Sequence, residues 1–303
     1  MPRSFAFHGD DAAVQDSTKG TLAAVAAFSL WAVLPVFWKS LTGVPILEVT
    51  SHRVVWTLLI LIGFLLLKGR LANTARAFCS GKTVLVHLLA AGCLSANWLI
   101  YVWATLNDRI LEGALGYYIN PFLYILLGSL FLGEKHNRLQ MIAIMVAAGG
   151  VALQFPAVRG VPWAALGLAF SFAGYGMIRK KSPLGSFDGL TMEAVIMLPV
   201  AVGFLLMAHS DGGGVFGSEV SATWLLVATG AATAAPLLFF ARGARSISLS
   251  LLGILQFIGP TGQLAIGWLV YGEPMPPLRL ASFAAIWLAV AIYVVSLRRQ
   301  KSP

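Results

Sequence analysis

The sequence predicts an all-α integral membrane protein whose ten transmembrane helices form two five-helix repeats inserted in opposite senses. Three observations carry this reading. First, the 303 residues are 58% apolar and 11% charged, with a mean hydropathy of +0.81, which excludes an ordinary soluble domain. Second, the apolar residues gather into runs of roughly 17–25, each long enough for a helix to cross the hydrocarbon core; the alternation expected of membrane strands is missing. Third, two stretches, one in each half, share one layout at a fixed offset.

Taken in order, the spans are expected at 20–38, 46–67, 84–105, 111–132, 139–155, 162–178, 189–208, 222–241, 249–271 and 278–297. Residues 1–19 hold Asp10, Asp11 and Asp16 and lack a long apolar core, so they read as a cytoplasmic tail and the first span as an uncleaved insertion signal. The second span carries His52 and Arg53, the third Asn97 and Trp98, and the fourth Tyr118, Asn120 and Pro121. Small-residue faces in the fifth (Ala143, Ala147, Gly150) and sixth (Gly167, Ser171, Gly174) permit close helix packing without implying a dimer. The seventh holds Glu193, and the ninth Gln256, Pro260 and Gln263. Residues 298–303 form a basic tail. The long connections are a basic one, 68–82, and 209–221, which contains Gly212-Gly213-Gly214 and reads as flexible slack or, less simply, as an external gate.

Charge placement orients the chain. With the amino terminus inside, 16 of the 21 Lys and Arg residues fall on the cytoplasmic side; Lys39, Arg109, Arg159 and Arg279 fall outside, and Arg53 lies within a span. That bias supports the span count and places both termini in the cytoplasm. The net charge of +9 is therefore a topology signal, and no nucleic-acid partner is called for. Cys79 and Cys93 give no disulfide framework.

The shared layout is Leu115-Gly116-Tyr117-Tyr118-Ile119-Asn120-Pro121 with Gly133-Glu134, against Leu252-Gly253, Gln256-Phe257-Ile258-Gly259-Pro260 and Gly272-Glu273. Pro121 and Pro260 lie 139 positions apart, as do Glu134 and Glu273. Ala27-Phe28-Ser29 recurs as Ala169-Phe170-Ser171, and Gly63-Phe64-Leu65 as Gly203-Phe204-Leu205, so the offsets stay between 137 and 142. The chain divides near 155–161, giving repeats at 20–155 and 161–297. Five spans per repeat is an odd number, so one copy is upside down against the other, with a path between them.

Polar side chains deep in apolar spans are the candidates for function, because burying one without a partner is costly. Arg53, about seven residues and ~10 Å into its helix, should face the interior. There it meets a carboxylate such as Glu48 or Glu112, helix carbonyls, or an anionic group of a substrate. His52, which aligns with Glu193, forms with it a candidate titratable pair; interhelical hydrogen bonding is the plainer role for both. Asn97 and Trp98, with Tyr118 and Asn120, are placed to line a cavity, while Tyr101 and Trp103 read as interfacial anchors. Gln256 and Gln263 point the same way at i, i+7. Pro121 and Pro260 each remove a helix donor and kink matched helices, either for packing or for gating. Glu134 and Glu273 cap helices or pair with nearby cations. Phosphate-loop, dinucleotide and nucleophile-elbow motifs are missing, and the five histidines lack metal-ligand spacing. Neither a cofactor nor an enzymatic activity is expected.

Several of these segments closely resemble the RarD family, in the EamA branch of the drug/metabolite transporter superfamily: Ser51-His52-Arg53-Val54-Val55-Trp56, Asn97-Trp98-Leu99, the run Leu115 to Pro121, Leu166-Gly167-Leu168-Ala169-Phe170-Ser171-Phe172, Arg179-Lys180-Lys181, Gln256-Phe257-Ile258-Gly259-Pro260-Thr261 and Tyr271-Gly272-Glu273. The resemblance implies two inverted EamA repeats in a bacterial inner membrane around a central cavity. It also implies secondary transport, with a small amphipathic metabolite or drug as partner and protons as a candidate coupling ion. Export is the expected direction; uptake by the same fold, or a membrane scaffold or signalling role, are the alternatives. Gly174 before Tyr175, and Gln263, depart from the pattern expected of relatives and alter the shape of the cavity.

Overall fold

The computed structural model describes residues 8–107, 109–155, 162–210, 212–272 and 275–301. The chain order is α1 (His8–Lys39), α2 (Ile46–Leu67), α3 (Leu71–Ala77), α4 (Gly81–Leu106), α5 (Ile110–Leu132), α6 (Arg138–Ala152), α7 (Trp163–Lys181), α8 (Ser186–Ser210), α9 (Val220–Ser246), α10 (Leu249–Gln256), α11 (Ile258–Leu269) and α12 (Pro277–Lys301). No strand occurs among the described residues. Eight stretches are long and apolar enough to cross a membrane: α1, α2, α4, α5, α8, α9, the α10–α11 pair and α12. The expected fifth and sixth spans are helical too. However, α6 is only 15 residues long, and α7 ends in Arg179, Lys180 and Lys181.

Three features differ from the expectation. The first helix starts at His8, so the polar tail continues it before the apolar stretch begins at Asp16. The basic connection after α2 contains α3. The ninth span is two helices meeting at Phe257, because Pro260 has no N–H to donate to the Gln256 carbonyl. Pro121, by contrast, sits inside an unbroken α5. The joint between the proposed repeats at 156–161, and Glu273, lie outside the described residues.

Local chemistry fixes the helix ends. Ser80 caps α4 by accepting from Thr83 N–H, and Ser248 caps α10 by accepting from Leu251 N–H. Asn137 and Gln140 form a reciprocal capping box on α6, each device satisfying donors that the helix itself leaves open. Gly133 ends α5 with φ 67°, and its counterpart Gly272 follows α11 with φ 65°. Both occupy the left-handed region that a side chain disfavours.

The main helix pairings run between the halves. α1 packs on α9 and α4 on α7; α5 packs on α7 and α1 on α11; α2 packs on α9 and α4 on α8. The α2–α8, α5–α10 and α6–α12 contacts join each helix to its own counterpart. Exchanging first half for second maps this set of pairings onto itself. Since lipid is as apolar as the helix surfaces, association depends on close fit. At the α5–α10 crossing a Cβ on Gly253 would stand 2.8 Å from the Pro121 carbonyl oxygen. At the α6–α12 crossing Ala143 and Ala147 are buried with Phe283, Ile286 and Ala289, and Gly150 abuts the Ser282 carbonyl.

Candidate functional site

Arg53 projects from the N-terminal half of α2 into a setting made by three other helices. Its Nε donates to Thr233 Oγ1 on α9 at 3.0 Å. Its guanidinium carbon lies 4.2 Å from the Trp98 ring centroid on α4 and 5.0 Å from that of Trp38 on α1. Tyr101 and Tyr117 stand within electrostatic reach of the charge, their rings 6.4 Å apart. Two aromatic faces offset part of the cost of a charge at this depth, each contributing about 0.5–2 kcal/mol. No described carboxylate comes within 4.0 Å of Arg53. The expected pair with Glu48 is not formed, because Glu48 accepts from the backbone N–H groups of Val215 (2.9 Å) and Phe216 (3.0 Å). The Glu112 side chain lies outside the described residues.

Tyr117 also lines a cavity of about 300 Å³ between α5, α11 and α12, together with Tyr118, Pro260, Gln263, Leu264 and Phe283. Gln263 donates to the Trp31 carbonyl on α1 at 3.1 Å. Deeper in, Asn120 Nδ2 donates to Gln256 Oε1 across the α5–α10 contact at 3.1 Å, and Asn120 Oδ1 is buried with no hydrogen-bond partner among the described residues. Phe28, Trp31, Phe172, Tyr175, Phe240 and Tyr124 form a continuous ring cluster in the core.

Residues 18–155 match the model of the EamA-like transporter family. Over 286 residues the chain is 38% identical to the uncharacterized transporter YojE of Bacillus subtilis, covering 93% of this chain and 95% of that protein. It is 37% identical to protein RarD of Salmonella typhimurium over 93% of this chain and 96% of that one. For protein RarD of Escherichia coli the identity is 35%, over 93% and 95%. The chain belongs to the RarD family of EamA transporters. A solved crystal structure superposes with a TM-score of 0.73 at 18% identity, covering 92% of this chain and 98% of the other; that likeness shows the fold alone. The chain is thus a multi-pass membrane protein and a transporter of the drug/metabolite transporter superfamily.

In this RarD-family chain the remaining candidates fall into three groups. Asn97 is buried, its Nδ2 donating to the Leu168 carbonyl (2.9 Å) and to Ser171 Oγ (3.1 Å), and so joins α4 to α7. His52 is also buried: its Nδ1 accepts from Trp56 Nε1 at 3.1 Å, its ring stacks on Phe216 at 4.6 Å, and its Nε2 faces Glu48 at 4.0 Å. Residues of the 209–221 connection, expected to be slack, are therefore held down by an acid and a ring.

Glu193 does not pair with His52 and lies instead in a closed network between α4, α7 and α8 of the RarD fold. Its Oε1 meets His87 Nδ1 at 2.9 Å and accepts from Arg179 Nη1 at 3.0 Å, while Oε2 accepts from the Tyr175 hydroxyl at 3.0 Å. Arg179 also donates to the Gly185 and Ser186 carbonyls, and His87 Nε2 meets Ser182 Oγ at 2.9 Å. All four side chains are fully buried, so Glu193 and Tyr175 belong to a buried polar hub, and neither is among the residues lining the cavity beside Tyr117. Sequence reasoning missed Arg179, which reads as one more cytoplasmic charge in a basic run. The signal for His87 was there, a polar residue inside the apolar run 84–105. Glu134 bonds to the start of α10, accepting from Leu249 N–H (2.7 Å), Ser250 N–H (3.0 Å) and Ser250 Oγ (2.6 Å), where the helix dipole favours an acid.

Proposed function

We propose that the chain is an inner-membrane secondary transporter that exports a small amphipathic solute by alternating access between two inverted repeats, residues 20–155 and 161–297, with both termini cytoplasmic. The observation that carries this reading is the helix pairing, whose main contacts exchange when the halves are exchanged. Two equivalent halves packed on each other can rock about a shared path, closing one end as the other opens. The positive-inside bias supports the orientation of the termini.

The path would run from the outer cavity past Tyr117 to Arg53, with Trp98, Tyr118, Asn120, Gln256 and Gln263 shaping it. Aromatic walls with a few hydrogen-bonding groups suit an amphipathic solute. The break between α10 and α11 supplies a natural hinge beside Pro260, and the continuous α5 beside Pro121 serves as the stiffer partner. The ring cluster around Phe240 and the Glu193 hub close the cytoplasmic side here. Without a nucleotide motif in the sequence, the driving force is a gradient or exchange. Proteoliposomes holding the purified protein, loaded with candidate metabolites and assayed with and without an imposed proton gradient, test the reading. Efflux above that of empty vesicles supports it, and the absence of flux for every solute under every gradient contradicts it.

A further inference from the structure

The Arg53 site combines three properties that together define a ligand. The guanidinium has five N–H donors; only Nε is engaged, by Thr233 Oγ1. Its two terminal nitrogens have no hydrogen-bond partner among the described residues, although the side chain is only half-buried and stands deep in the bundle. Glu48, the acid the sequence offered as a partner, is held instead by two backbone amides. Trp38 and Trp98 flank the charge and leave the fork free at its end. A guanidinium fork with its outer edge open is matched by a planar anion that takes two parallel N–H···O bonds.

We propose that Arg53 binds the carboxylate of an amphipathic monocarboxylate, with the apolar body of the ligand lying along Tyr117 towards the cavity bounded by Tyr118, Leu264 and Phe283. A single positive charge stands between the two ring faces and fits a monoanion there, while Arg279 on α12 also lines the cavity and adds to its preference for an anion. A phosphate monoester brings about 1.5–2 negative charges and would set its excess charge against the negative faces of the rings. An uncharged amide would lose the charge-assisted component, and a cation would be repelled. The 300 Å³ cavity is the size of a small-molecule body. The inference deepens the transport reading by naming the class of substrate, and it rests on the cavity being part of the substrate path.

The test uses full-length protein in detergent and a matched set of probes sharing one phenyl body: phenylacetate, phenylacetamide, phenyl phosphate and phenethylamine. Binding is read as the shift in melting temperature against probe concentration. Phenylacetate should act at a concentration about tenfold or more below that of phenylacetamide and phenyl phosphate, a ratio expected from two charge-assisted bonds; phenethylamine should give no shift. In Arg53→Gln the preference for phenylacetate should vanish, and in Arg53→Lys it should shrink, since an ammonium keeps the charge and loses the fork. The wild-type comparison stands even where Arg53→Gln fails to fold. Equal responses to acid and amide, preference for the phosphate or the amine, or no response to phenylacetate would each overturn the proposal, as would an unchanged preference in a folded Arg53→Gln. Binding and flux are scored separately. Carboxylate binding without flux sinks the transport reading alone, and flux of a neutral solute unaffected by Arg53→Gln sinks this inference alone.

Discussion

The two ends of the α2–α8 pair are fastened by acids in the same place but by different means. Glu48 is the third residue of α2 and Asp188 the third of α8, 140 positions apart. Each lies in a first turn, where a carboxylate is favoured by the helix dipole, and each reaches the connection that follows the other helix. At the end that the proposed topology puts outside, the outer end, Glu48 takes two backbone amides, Val215 and Phe216, beneath the stacked rings of His52 and Phe216. At the inner end Asp188 takes the hydroxyl of Thr74 at 2.6 Å and the guanidinium of Arg70, and that guanidinium side chain is 48% exposed. Position and charge are thus common to the two ends, while the partners are not. Backbone amides are fixed donors, and here they meet a buried carboxylate. A half-exposed Arg is a screened one that solvent can replace at little cost. The inner fastening is the one built to release more easily.

A neighbouring pair widens the contrast. His52 and Glu193 occupy aligned positions, yet His52 is stacked and hydrogen-bonded, and Glu193 is one pole of a buried ion pair. Removing one partner of such a pair strands the other charge. Glu193→Gln should therefore destabilise by about 3–5 kcal/mol, the largest effect expected, seen as a collapse of the melting temperature in detergent. Next comes Glu48→Ala, which takes the acceptor from two part-buried amides for about 1–3 kcal/mol in all and should also make the 212–219 segment more open to protease. If that segment stays protected, the outer fastening has been misassigned. Smallest is Asp188→Asn, which keeps the Thr74 bond and loses an exposed-partner ion pair, for about 0.2–1 kcal/mol. Raising salt should mimic Asp188→Asn in wild type and leave the outer end unaffected. An Asp188→Asn cost equal to that of Glu48→Ala would erase the distinction.

Much of the architecture could be read from the chain because the bilayer imposes it. Span lengths and the two prolines at one offset are local signals, and each of them has a helical counterpart in the structure. Partners were harder to read. Glu48 bonds to backbone amides of a glycine-bearing connection, and no side chain there announces it. Arg179 reaches Glu193 across the turn at Ser182–Gly185 that joins α7 to α8, so spacing alone could not pair them. The two prolines look equivalent in sequence, but α5 continues through one and the ninth span breaks before the other. Arg53 was visible as a costly buried charge. What the sequence could not show was that Trp38, Trp98 and Thr233 would surround it with no acid among the described residues within 4.0 Å.

Spin labels across the two ends test most directly whether the halves rock against each other. One pair would join Thr42 to Ser218 at the outer end, and another Arg76 to Lys181 at the inner end, all four positions being exposed. Alternating access predicts that Glu48→Gln lengthens the outer distance while the inner stays short, and that Asp188→Asn does the reverse. Distances that both lengthen together, or that neither variant moves, would contradict it.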